Sequence, residues 1–118
     1  MKMELLKELT QYAQPRYVPK PMTGGYMPVG SDRYPITVVD VSPDLKKLWF
    51  RRAGFRAVPG HNNAYTEMQR YEFFDIPKAE IQEAKLAKNG HYYTPGGMAK
   101  GSLVIPSGEY DAYQDPSF

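Results

Sequence analysis

The sequence predicts a mainly β protein, a small SH3-like or otherwise partly open β-barrel carrying one amino-terminal α-helix. Three observations lead there. Gly and Pro together supply 21 of the 118 residues, so turns are frequent and a helical bundle is a poor fit. Ten Tyr, five Phe and one Trp stand against a modest stock of Leu and Ile, and aromatic side chains pack well on a pleated, half-buried surface. The run Y-P-I-T-V-V-D-V at residues 34–41 has the β-branched density of a strand. A chain of this length builds one core. Residues 1–14 are therefore read as the helix, and residues 15–118 as one β-rich domain with an aromatic carboxy-terminal tail.

The helix rests on Met3, Leu5, Leu6, Leu9, Tyr12 and Ala13, which recur at helical spacing while Glu4, Lys7, Glu8 and Gln11 fill the polar side. Pro15 ends it. About three turns are marginal alone in water, so this helix must dock on the domain or on another subunit. Residues 15–31 hold Pro15, Pro19, Pro21 and Pro28 with Gly24, Gly25 and Gly30, which suits an extended arm with a short strand at 26–29. The strand at 34–41 ends in the turn Ser42-Pro43-Asp44, and residues 46–52 return as its hairpin partner. Residues 53–65 contain Gly54, Pro59, Gly60, Asn62 and Asn63 and read as a long loop. A third strand follows at 69–74.

Residues 78–88, K-A-E-I-Q-E-A-K-L-A-K, carry two conflicting signals. Their composition favours helix, yet Asn89-Gly90 followed by His91-Tyr92-Tyr93 is a hairpin signature with a strand on each side. Both readings stand at this point. A short strand at 103–105 follows the turn-rich residues 94–101, and the ending E-Y-D-A-Y-Q-D-P-S-F suits an ordered tail packed on the barrel.

Several chemistries are excluded or left without support. With no cysteine there are neither disulfides nor thiolate metal ligands. His61 and His91 lie far apart and lack ligand spacing, so no metal or other cofactor is expected. Gly24-Gly25 and Gly96-Gly97 lack the following Lys-Ser/Thr of a phosphate loop and are read as turns. No G-x-S-x-G elbow is present, and an enzyme is not expected. Neither a signal-length apolar run nor the roughly 20 apolar residues of a membrane span occurs. A soluble intracellular protein without membrane contact is the expectation.

The most distinctive segment is residues 46–56, K-K-L-W-F-R-R-A-G-F-R, with five cations and three aromatics and no acid. Against the chain's net +2, its +5 leaves the other 107 residues at −3, so positive charge is concentrated here. Strand alternation sends Leu48 and Phe50 to the core and Lys47, Trp49 and Arg51 outward. Trp between two cations suits a ring stacked beside a phosphate, with Arg52 and Arg56 extending the patch and His61, Asn62 and Tyr65 reading polar edges from the loop. Cation stems covering a Trp on a solvated face is the competing use. A third is assembly, with the tail's Tyr110, Tyr113, Phe118, Asp111 and Asp115 lying on this strand in the same or a neighbouring subunit. Asp32-Arg33 is read as a local surface ion pair.

The run S-D-R-Y-P-I-T-V-V-D-V-S, then R-Y-E-F at 70–73, K-N-G-H-Y-Y at 88–93 and a Tyr/Asp-rich end resemble, in order, a group of small uncharacterised bacteriophage and prophage proteins. The likeness covers roughly residues 30–118 and implies a β-rich fold and a phage-related origin; it supplies no site residue. Two functions follow as expectations. The first is a phage-derived binding protein in the host-cell cytoplasm that sequesters a nucleotide-type ligand or engages nucleic acid, an anti-defence role being one use. The alternative is a structural or interaction module that docks on a host or phage protein, as a homo-oligomer where the helix or tail joins subunits.

Overall fold

The computed structural model describes residues 14–58 and 70–114. Among the described residues eight strands run in order: β1 (Thr23–Val29), β2 (Asp32–Val41), β3 (Lys47–Arg52), β4 (Gly54–Ala57), β5 (Tyr71–Phe74), β6 (Gln82–Leu86), β7 (Tyr92–Tyr93) and β8 (Leu103–Gly108). One helical turn, α1 (Gly97–Lys100), precedes β8. Six strands close a barrel in the order β1-β2-β3-β6-β7-β8, every pair antiparallel, and β4-β5 form a separate two-stranded ribbon inserted between β3 and β6. The barrel is closed, not partly open, because β8 pairs back to β1. The expected helix over residues 1–14 lies outside the described residues but for Gln14.

The inward faces follow strand alternation. Ile36 and Val38 of β2, Leu48 and Phe50 of β3, Ala84 of β6, Tyr92 of β7 and Val104 of β8 form one buried cluster. Gly24 and Gly25 belong to β1, not to a turn: their missing side chains let β8 and the chain at Tyr110 approach. Within residues 78–88 the segment Gln82–Leu86 is strand, flanked by turns. Leu48↔Ala84 and Leu86↔Tyr92 place Ala84 inside the barrel, and this long-range burial overrides the helical propensity of the segment. The hairpin after β6 turns through residues 88–90, with Gly90 N–H on the Ala87 carbonyl, Ala87 N–H on the His91 carbonyl and Gly90 at φ +86°.

The first third of the expected 53–65 loop is also strand. Phe55, Tyr71 and Phe73 share one face of the ribbon, and their rings continue into Tyr34 on one side and Tyr110 on the other. The ribbon thereby covers the outer face of β2 near Thr37, whose hydroxyl hydrogen-bonds the Tyr110 hydroxyl at 2.9 Å.

One buried phenol ties the β2–β3 turn to the core. Leu45 sits at φ +63°, its N–H on the Ser42 carbonyl, and its own carbonyl accepts from the Tyr92 hydroxyl. Burial, with Asp44 adding to it, pushes the Tyr92 phenol up to about 12. An unfolded tyrosine ionises near pH 10. Between about pH 10 and 12 the native state therefore keeps a proton that the unfolded state has lost, and stability falls as pH rises. Tyr92→Phe is expected to cost about 1 kcal/mol at pH 7 through the lost hydrogen bond and to flatten the alkaline loss. Urea midpoints at pH 7 and across the window from about pH 10 to 12 read this, and an unchanged alkaline slope would count against it.

Candidate anion-binding face

Alternation along β3 is as the sequence reads it. Leu48 and Phe50 are fully buried, while Lys47, Trp49 and Arg51 lie on the opposite, outer face. The cations of the run nevertheless go to different places. Arg51 grips Asp75 through two bonds, Nε to Oδ1 at 3.0 Å and a terminal nitrogen to Oδ2 at 2.5 Å, with its side chain only 13% exposed. Its guanidinium, with smaller help from Thr37, holds the Asp75 carboxyl below the usual carboxylate range. The pair fastens the chain after β5 to the barrel wall.

Arg56 lies on the far side of the ribbon, 2.8 Å from Glu72 and over the Phe74 ring. That ring occupies the space a side chain at Gly54 would need. Arg52 is exposed at the end of β3, on the side of the strand that Phe50 faces, and has no ion pair to another described residue. Lys47 stays on the outer face, 3.5 Å from Glu83. His61, Asn62 and Tyr65, expected to read polar edges of a ligand, lie outside the described residues.

Strand register supplies neighbours that the sequence alone did not bring together. Lys47 pairs with Lys85, and Lys85 with Tyr93, so two cations and a phenol form one row across β3, β6 and β7. The next outward row is Asp40, Trp49 and Glu83. Neighbouring strands stand about 4.8 Å apart and same-face residues about 6.7 Å apart along a strand. At the backbone, Trp49 and Tyr93 are thus about 12 Å apart with the lysine row beside them. Like charges directly opposite on a sheet repel. Lys47 has Glu83, whereas Lys85 and Lys88 are exposed and carry no ion pair to another described residue.

On the Tyr93 side this face deepens into a groove of about 620 Å³, lined by Glu83, Lys85, Lys88 and Tyr93 and walled by residues 94–98 with Met98. The wall is stapled at its base: Thr94 N–H donates to the Ser102 carbonyl at 3.0 Å, and Ser102 N–H to Thr94 Oγ1 at 2.7 Å. Asn89 Nδ2 donates to the Tyr93 hydroxyl at 2.8 Å, which fixes the ring. The sequence contains the clue in E-A-K at 83–85, since strand geometry puts Glu83 and Lys85 on one face. The helical composition of the segment hid it.

Of the tail, Tyr110 reaches Thr37, the cross-strand neighbour of Arg51, while Asp111 and Tyr113 go to Arg33. Tyr113 and Arg33 exchange backbone hydrogen bonds at 2.8 and 3.0 Å, Asp111 Oδ2 lies 3.0 Å from Arg33 Nε, and the Arg33 guanidinium sits over the Tyr113 ring. Arg33 therefore pairs with Asp111 in place of the expected Asp32, which accepts from the Tyr34 hydroxyl at 3.3 Å. Through residue 114 the tail packs on β1, β2 and the ribbon, while Asp115 and Phe118 lie outside the described residues. Among the described residues no three His, Asp or Glu side chains gather as a metal site, and no helix is long and apolar enough to cross a membrane.

Comparison with protein-family models, curated proteins and solved structures found no match.

Proposed function

We propose that this chain is a small binding protein that holds a phosphate-bearing, ring-containing ligand of the nucleotide or nucleic-acid class on the outer face of β3, β6 and β7. One observation carries the reading: Lys47 stands opposite Lys85, in one row with Tyr93 and beside Trp49 of the next row. Two cations placed face to face lower the stability of an empty sheet, and an anion seated on them reverses that cost. Arg51 and Arg56 serve the ribbon in this reading, Arg51 nearly buried against Asp75 and Arg56 beside Glu72 on the far side of the ribbon, whereas Lys47, 3.5 Å from Glu83, stays on the outer face opposite Lys85. Binding is by sequestration without turnover. The resemblance to phage proteins supplies the setting, a host-cell cytoplasm in which capture of a nucleotide-type signal blunts a defence response.

Titration of the full chain with adenine and guanine nucleotides tests this, using the fluorescence of the single Trp49 as the readout. A charge-assisted hydrogen bond contributes about 1.5–3 kcal/mol, so Lys47→Gln and Lys85→Gln are each expected to weaken binding about tenfold or more. Arg56→Gln is expected to change affinity less than about twofold, since Arg56 lies on the far side of the ribbon and not in the lysine row. Absence of binding by every nucleotide at millimolar concentration would overturn the proposal.

A further inference from the structure

We infer that the ligand is a dinucleotide, two bases joined through one phosphodiester, with the phosphate on Lys47 and Lys85 and one base against each of Trp49 and Tyr93. This rests on the reading above and narrows it.

Along the path Trp49, Lys47, Lys85, Tyr93 the order of chemistry is ring, cation pair, ring, with Glu83 inside the corner, 3.5 Å from Lys47. Trp49 lies beside Lys47 on β3, Lys85 follows on β6, and Tyr93 closes the row on β7. A mononucleotide has a ring on one side of its phosphate only and leaves one platform unused. A base on an aromatic side chain contributes about 1–3 kcal/mol, so engaging the second platform is a large gain in affinity. A dinucleotide has a ring on either side of a central phosphate, and the backbone separation of about 12 Å between the platforms leaves room for that arrangement.

The ends of the face restrict length. Beyond Tyr93 the groove is walled by Pro95 and Met98 on the stapled 94–98 loop. Beside Trp49 on β2 stands Asp40, whose carboxylate repels a further phosphate, and beyond Trp49 along β3 stands Arg51, whose guanidinium is already held by Asp75. The lysine row is thus the one phosphate position with an acid or a wall on each side. Asp40 and Glu83 also flank Trp49 in its own row. Carboxylates accept hydrogen bonds and donate none when ionised, so the base on Trp49 is one that presents an exocyclic amino group.

The test is a length series on the full chain, read by Trp49 fluorescence and by calorimetry: adenosine monophosphate, the dinucleotide ApA, and an octamer of the same base. ApA is expected to bind at least tenfold more tightly than the monophosphate. The octamer is expected to gain no more than about sevenfold over ApA, the statistical factor for its steps. Trp49→Leu and Tyr93→Leu are each expected to lower ApA affinity about tenfold, read for the tryptophan variant by calorimetry alone. Trp49→Phe and Tyr93→Phe, which keep a ring, restore most of it and guard against a folding defect. Equal affinity for monophosphate and dinucleotide, or an octamer bound far beyond the statistical factor, would overturn the dinucleotide assignment while leaving nucleotide binding in place. No binding of any of the three would remove both.

Discussion

Gly25→Ala is expected to force β1 and β8 apart and to destabilise the protein by about 3 kcal/mol, the upper range for inserting atoms into a packed interior. A Cβ at residue 25 would lie 2.4 Å from the Ile105 carbonyl oxygen and 3.1 Å from Pro106 Cα. Both are backbone atoms, so no side chain can swing away. The seam is already irregular, with the register shifting between the Gly24↔Gly108 and Tyr26↔Ile105 pairs. Because this pairing closes the barrel, the variant tests whether closure stabilises the fold. Urea unfolding gives the loss, and faster amide exchange confined to β1 and β8 would locate it. Gly30→Ala is the control, since a Cβ there meets nothing within 4 Å. Its φ of +59° still carries a cost of about 1–2 kcal/mol for a non-glycine residue. A Gly25→Ala loss no larger than that of Gly30→Ala would show that the seam gives way easily.

The glycine pair shows where sequence reading stops. Gly24-Gly25 has the local look of a turn, and what makes glycine necessary there is backbone some 80 residues further on. Residues 34–41 were legible because Ile36 and Val38 state their own burial through β-branching and alternation. Leu48 and Phe50 were legible for the same reason. Gly54–Ala57 was not, since its reason to be a strand is the ring ladder from Phe55 through Tyr71 and Phe73 to Tyr110. The segment at 78–88 left helix and strand undecided until its partners Leu48 and Tyr92 were known.

Candidate site residues divide in the same way. Outward placement of Lys47, Trp49 and Arg51 follows from period-two geometry and needs no partner. Whether a cation is free for a ligand depends on acids across the strands, and Asp75, Glu72 and Glu83 lie between 16 and 36 residues from Arg51, Arg56 and Lys47. Charge density along the chain therefore overstated the arginines and missed Lys85, which the sheet places opposite Lys47.

Phe50→Ala carries the other large expected effect and tests the strand on which core and site meet. Phe50 is fully buried among Ile36, Val38, Leu48, Ala84, Tyr92 and Val104. Truncating a buried Phe costs about 3–5 kcal/mol through lost burial and the cavity left behind. Domains of this size have only about 5–15 kcal/mol in total, so the variant sits near its unfolding midpoint in mild urea. Lys47→Gln, three residues earlier on the opposite face, is expected to change stability by less than about 0.5 kcal/mol, as for other surface substitutions. The contrast is diagnostic because a one-residue slip in β3 would exchange the two faces completely. With such a slip Trp49 and Lys47 would enter the core, and the pairing of Lys47 with Lys85 would vanish. A Phe50→Ala cost under about 1 kcal/mol, together with a large cost at Lys47, would place the register off by one and remove the geometric basis for ligand binding along with it. Paired urea curves for the two variants, followed by Trp49 fluorescence, separate these outcomes.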